Sequence, residues 1–259
     1  MFVVLKKSRV AIAVVLIALL VCASVLTWYG IASKKKLVET DAAGKRKIPV
    51  YSVDTDEKIA AISFDAAWGA DKTLKILDIL DEYDVKATFF LVGFWIDAYP
   101  ETVKEISNRG HLIGNHSANH PHFNKLSKAE MEKEISAVSD KVKELTGQTV
   151  TYFRAPFGEY NDTLMTVLEE QKLTGVQWDV DSLDWKGLSG SRIAERILPK
   201  TKNGSVILCH NNSEHILDAL PVVLLGLKNK GLRLVRMDEL VLTENYYVDN
   251  NGTQHSAIT

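Results

Sequence analysis

The chain has 259 residues, 46% hydrophobic and 25% charged, with a formal net charge of −2. This suits one large globular domain or two small ones, and the near-neutral balance gives no electrostatic basis for nucleic-acid binding. Two cysteines, Cys22 and Cys209, exclude a disulfide framework, so a core must hold the fold.

In chain order, the first feature is Val10 to Ser33, which carries no charged residue. As a helix it would span about 36 Å, enough for a ~30 Å hydrocarbon layer. Residues 1–33 therefore read as a membrane anchor, with a cleaved signal segment as the alternative. Lys6, Lys7 and Arg9 precede the run and Lys34, Lys35 and Lys36 follow it, so charge does not orient it. Residues 34–57 are polar and read as a stalk. From Lys58 short apolar strands alternate with helical patterns. IAAISF (59–64), ATFFLVG (87–93), HLIGNH (111–116), TYFRAPFG (151–158, strand then loop), TGVQWDVDS (174–182), SVILCHN (205–211) and LRLVRMDEL (232–240) supply the strands. Helices are expected over 71–83, 100–110, 127–147, 161–172, 191–200 and 213–231. The third opens on the Ser127–Glu130 capping box and closes on Gly147. Seven such units predict an α/β fold with a parallel sheet, either a barrel or an open doubly wound sheet. No G-x-G-x-x-G follows the first strand, which counts against a dinucleotide fold. Residues 58–242 make the domain, and 243–259 read as a loose polar tail.

The unusual polar residues fall just after strands: Asp65, His116 and His120, Arg154, Asp181 and Asp184, and His210. Parallel α/β folds build their sites at the carboxyl ends of strands. His116 and His120 are four apart, and one helical turn would let them share a divalent cation. Two hydrogen-bonded histidines on a surface turn are the alternative. His122 falls past Pro121 and is left outside, and His111 reads as structural. Cys209 cannot pair with its strand neighbour His210, because adjacent strand residues face opposite ways. Trp68, Tyr160 and Trp185 are either substrate-binding aromatics or core.

The blocks SFDAAWG, HSANH, RAPFG, DSLDW and LCH, in this order and spacing, resemble the five motifs of the NodB-type polysaccharide deacetylases, carbohydrate esterase family four. The FDAAWG form and the apolar N-terminus are similar to the sporulation-associated peptidoglycan deacetylases within it. The resemblance implies a distorted (β/α) barrel of about seven parallel strands. It implies a cell-wall glycan as partner, peptidoglycan N-acetylglucosamine or N-acetylmuramic acid, and a membrane-tethered domain outside the cytoplasm. The oligomeric state is left open. By resemblance Asp65 is the catalytic base and Arg154 its partner, while His210 is the general acid and Asp184 its orienting carboxylate. The Phe157 N–H is the oxyanion donor, and His116 and His120 hold a divalent metal, Zn first, with Co, Mn or Ni as alternatives. One departure matters. The family's second aspartate, a metal ligand, is replaced by Ala66, which should weaken the metal site, unless Asp65, Asp71 or Asn119 fills the gap. An inactive glycan-binding member, or an esterase or amidase on another acylated sugar, are the competing expectations.

Overall fold

The computed structural model describes residues 46–257. The anchor reading of residues 1–33 lies outside them, as does the first part of the stalk. Among the described residues no helix is long and apolar enough to cross a membrane. In order they form β1 (Ser52–Val53), β2 (Ile59–Ala66), α1 (Thr73–Glu82), β3 (Thr88–Leu91), α2 (Gly93–Ala98), α3 (Pro100–Asn108), β4 (Leu112–Asn115) and α4 (Lys128–Thr146). Then follow β5 (Tyr152–Phe153), α5 (Asp162–Glu170), β6 (Thr174–Gly175), β7 (Val180–Asp181), α6 (Gly190–Ile197), β8 (Val206–His210), α7 (Ile216–Asn229), β9 (Arg233–Val235), α8 (Met237–Leu240), β10 (Tyr246–Val248) and β11 (Thr253–Ser256). The Ser127–Glu130 capping box and the left-handed Gly147 bound α4 as the sequence predicts.

The main sheet runs β6-β5-β4-β3-β2-β8-β7, with β9 pairing the start of β2, and every pairing is parallel. The sequence reads 174–182 as one strand; it is two, β6 and β7, at opposite edges of that order. Gly175 and Val180 are five steps apart along the chain, a reach of at most about 18 Å. A flat run of those seven strands would hold its edges roughly 29 Å apart at ~4.8 Å per strand. The sheet must therefore curl, and the segment between β6 and β7 straps its edges into a barrel.

Every residue of β2 is buried, as a strand covered on both faces requires. Ala60, Ile62, Phe64 and Ala66 face the helices, where Phe64 stacks on Phe89 at 5.0 Å. Ile59 and Ala61 face the barrel interior with Val50, Phe90, Tyr152 and Val176. By strand alternation Ser63 and Asp65 continue that inner row toward the carboxyl end.

Both domain boundaries need correction. The stalk ends earlier, because Val50 and Val53 are buried, Val50 bridges Val176, and β1 is a strand. The polar tail is not loose: β10 and β11 pair, and β11 lies parallel to β1. Gln254 is wholly buried there and exchanges two hydrogen bonds with Leu242.

Candidate active site

Asp65 arrives at the end of β2 and meets Arg154, which directly follows β5. The Arg154 guanidinium donates to Asp65 Oδ1 at 2.7 Å, to Ser63 Oγ at 2.9 Å and to the Gln177 carbonyl at 3.1 Å. Arg154 is wholly buried and lies 4.1 Å over the Phe90 ring, so it is not a surface ion pair. Gly114 makes room for that ring, since a Cβ there would come within 2.5 Å of it. Burial pushes the Asp65 carboxyl up, but Arg154, His116 and His210 outweigh it and hold it below its ordinary range.

His116 and His120 come together, but not by a helical turn. They sit on a loop after β4, where Ser117 and His120 have positive φ of 69° and 55°. Each such residue costs on the order of 1–3 kcal/mol. Local bonds offset the strain: Ser117 N–H to Asn115 Oδ1, His120 N–H to Ser117 Oγ, and both Asn119 nitrogens to the Glu134 carboxylate. The two imidazole centroids are 5.0 Å apart. His116 Nδ1 is 2.7 Å from the Arg154 carbonyl, which only accepts, so Nδ1 carries the proton. Burial holds His116 below its ordinary value and His120 down at about 4, which keeps both rings neutral. His116 Nε2 then presents a lone pair 3.5 Å from Asp65 Oδ2. Two acceptors facing each other in a buried site fit a cation, or a bridging water, between them. The set stops short of three, however: among the described residues no group of three His, Cys, Asp or Glu is arranged to hold a metal. Ala66 is wholly buried in the helix-facing core and does not line the cavity. Glu134 holds both Asn119 nitrogens, and neither Asn119 nor Asp71 lines the cavity, so neither fills the gap.

On the other side β8 delivers His210, in register with Asp65 on the neighbouring β2. Asp184 grips it twice, accepting from the His210 N–H at 2.8 Å and from Nδ1 at 2.7 Å. Burial pulls the His210 pKa down, but the bond and charge of Asp184 win and raise it above its ordinary value. Asp181 caps the turn by accepting from Leu183 N–H, so the orienting carboxylate is Asp184. Cys209 points into the helix-facing core, where burial pushes its thiol well up.

Asp65, His116, His120, Asp184 and His210 line one cavity of about 710 Å³. Phe157 also lines it and has φ 60°, in the left-handed region that a bulky side chain rarely adopts. Gly158 and Glu159 close the turn through their N–H groups, to Ala155 and Pro156 carbonyls, and the Phe157 N–H takes no part in those bonds. Trp68 and Trp185 stand at the rim, 57% and 60% exposed. Tyr160 does not join them; it packs against the helix-facing core and lies outside the cavity. Trp178 lines the cavity instead. It sits on the barrel strap, which the sequence disguises as the middle of a strand.

A parallel barrel with an arginine-paired carboxylate, a carboxylate-paired imidazole and an imidazole pair at one mouth defines a hydrolytic site. A family model for polysaccharide deacetylases matches residues 52–176. A peptidoglycan-N-acetylglucosamine deacetylase of Bacillus cereus is 37% identical over 187 residues, covering 71% of this chain and 68% of the relative. The solved Bc1960 peptidoglycan N-acetylglucosamine deacetylase is 35% identical with a TM-score of 0.72, covering 74% of this chain and 91% of that one. BA3943 from Bacillus anthracis, a CE4 family pseudoenzyme, also has a TM-score of 0.72, at 28% identity, covering 80% of this chain and 72% of that one. This chain belongs to the polysaccharide deacetylase family.

Proposed function

We propose that this protein hydrolyses N-acetyl groups from the glucosamine or muramic acid residues of peptidoglycan. The observation that carries the reading is the opposed pairing of two neighbours on one cavity: Asp65 bonded to Arg154, with its pKa lowered, and His210 bonded to Asp184, with its pKa raised. Environments that push two titratable groups apart assign base and acid. Asp65 accepts a proton from the attacking water, whose oxygen adds to the acetamide carbonyl carbon. The Phe157 N–H donates to the oxygen that gains charge. His210 gives its proton to the nitrogen as the C–N bond breaks, leaving a free amine and acetate. Trp68 and Trp185 offer exposed faces to sugar rings.

Family members are generally metal-dependent. His116 and His120 would hold the cation, with Asp65 Oδ2 beside His116. Imidazole ligands favour zinc, with cobalt, manganese or nickel as alternatives. Once bound, the cation acidifies water and polarises the carbonyl. That chemistry matters here, because a carboxylate with a lowered pKa is a weak base. The uncharged run at Val10–Ser33 supports a membrane-tethered domain acting on the wall outside the cytoplasm. The sporulation-associated members are the ones it resembles.

The test is acetate release from peptidoglycan or chito-oligomers with each divalent metal in turn. Asp65→Asn should lower kcat by roughly 10²–10⁴-fold while leaving glycan binding intact. Ala66 favours a second reading, a glycan binder with an inherited groove. Acetate from no substrate under any metal, with binding retained, would establish that reading instead.

A further inference from the structure

His122 and Glu159 lie outside the acid–base set, yet they converge on the turn that carries the oxyanion donor. Phe157 is held in the left-handed region although its side chain is 58% exposed and could swing the backbone elsewhere. Two rings flank it. His122 stacks nearly parallel to it, with centroids 4.3 Å apart and planes at 16°. His120 meets it edge-on at 4.7 Å. The His122 ring is itself half exposed, on the loop after Pro121, and its Nδ1 is hydrogen-bonded to Glu159 Oε1, 3.0 Å away. Glu159 is two residues beyond Phe157 in the same turn, and its own N–H is tied to the Pro156 carbonyl. The contacts thus form a closed loop: Phe157 backbone to Glu159, Glu159 to the His122 ring, and that ring back onto the Phe157 ring.

Resting on the deacetylase reading above, we propose that His122 and Glu159 are positioning residues that fix the Phe157 N–H as the oxyanion donor. The brace joins the loop after β4 to the turn after β5, so it also sets the donor against the imidazole pair. His122 has one face covered by Phe157 and a polar atom committed to Glu159. Its contribution therefore falls on the donor's aim rather than on the sugar. Loss of aim weakens an interaction made in the transition state, which lowers kcat and leaves KM in place.

The experiment uses the protein labelled with nitrogen-15 at phenylalanine, the Phe157 amide being assigned by its loss in Phe157→Tyr. In His122→Ala and Glu159→Ala the Phe157 amide should shift, and its N–H to Hα coupling should leave the left-handed value. Glu159→Gln, which still accepts the bond, should leave both unchanged. His122→Phe, which keeps the stack and drops the tie, should fall between. On chito-oligomers the two alanine variants should lose about 10- to 100-fold in kcat, with KM within about twofold, and Glu159→Gln should match the wild type. An unmoved Phe157 amide in His122→Ala, or a raised KM with unchanged kcat, would overturn the proposal. Should the wild type release no acetate, the deacetylase reading fails, while the amide still decides whether the brace exists.

Discussion

The two walls of the cavity are built on different principles. The His210 wall is complete. Asp184 bonds both the backbone and the ring of His210, its own N–H donates to Ser182 Oγ, and its carbonyl accepts from Ser213 Oγ. The His116–His120 wall has two residues at positive φ, a Glu134 clamp holding the loop, and an imidazole lone pair facing a carboxylate. One wall pairs its own groups with one another; the other sets two acceptors face to face, an arrangement that a cation or a bridging water would satisfy.

Arg154 underlies the His116–His120 wall, bonding Asp65 with its side chain and His116 through its carbonyl. Arg154→Met should cause the largest loss, about 3–5 kcal/mol of stability at neutral pH, because it leaves a buried carboxylate without its counter-charge. Denaturant unfolding measures it. The pH dependence has a definite sign. Asp65 has its pKa below the ordinary 3.8, so its contribution is present above 3.8 and is lost as pH falls through the folded value. The stability curves of wild type and variant should therefore converge in acid.

Asp184→Asn tests the complete wall. It should cost about 10²-fold in kcat at pH 7. The His210 pKa lies above the ordinary 6.5, so the charged form and its stability contribution are fully present below 6.5 and are lost as pH rises through the folded value. Without Asp184, burial is opposed only by the charges of Asp65 and Asp181, so that pKa should fall and the alkaline limb of the rate profile should move to lower pH. An unmoved limb would remove His210 from the acid role.

The smallest expected effect sharpens the contrast. Ala66→Asp places a carboxylate at a wholly buried position. Because Ala66 faces the helix-side core and not the cavity, the melting temperature should fall by several degrees and added zinc should not restore it. Recovery with zinc, and bound metal above wild type, would show instead that position 66 can supply the third ligand.

The barrel strands and the helix caps could be read from sequence, because two-sided burial makes strands apolar and Ser127 and Gly147 bound their helix by local chemistry. Asp65, Arg154, Asp184 and His210 were legible as strand-end polar residues. What escaped detection depends on partners distant in sequence. The run 174–182 looks like one strand because nothing local says that its two ends join opposite edges of the sheet. Trp178 was missed with it. The stretch 246–256 looks like a tail because its polar residues are satisfied by a strand some 200 positions earlier. His122 looks idle because its partner, Glu159, comes 37 residues later.

The strap between β6 and β7 has a consequence for how activity is acquired. Its Gln177 carbonyl accepts from the same guanidinium that grips Asp65, and β2 finds β8 across more than 140 positions of sequence. Closure entropy comes due before such distant pairings contribute, so assembly should be slow. During refolding, catalytic competence should emerge later than helical signal. The rate of acetate release would then time the moment at which the ring of strands is sealed.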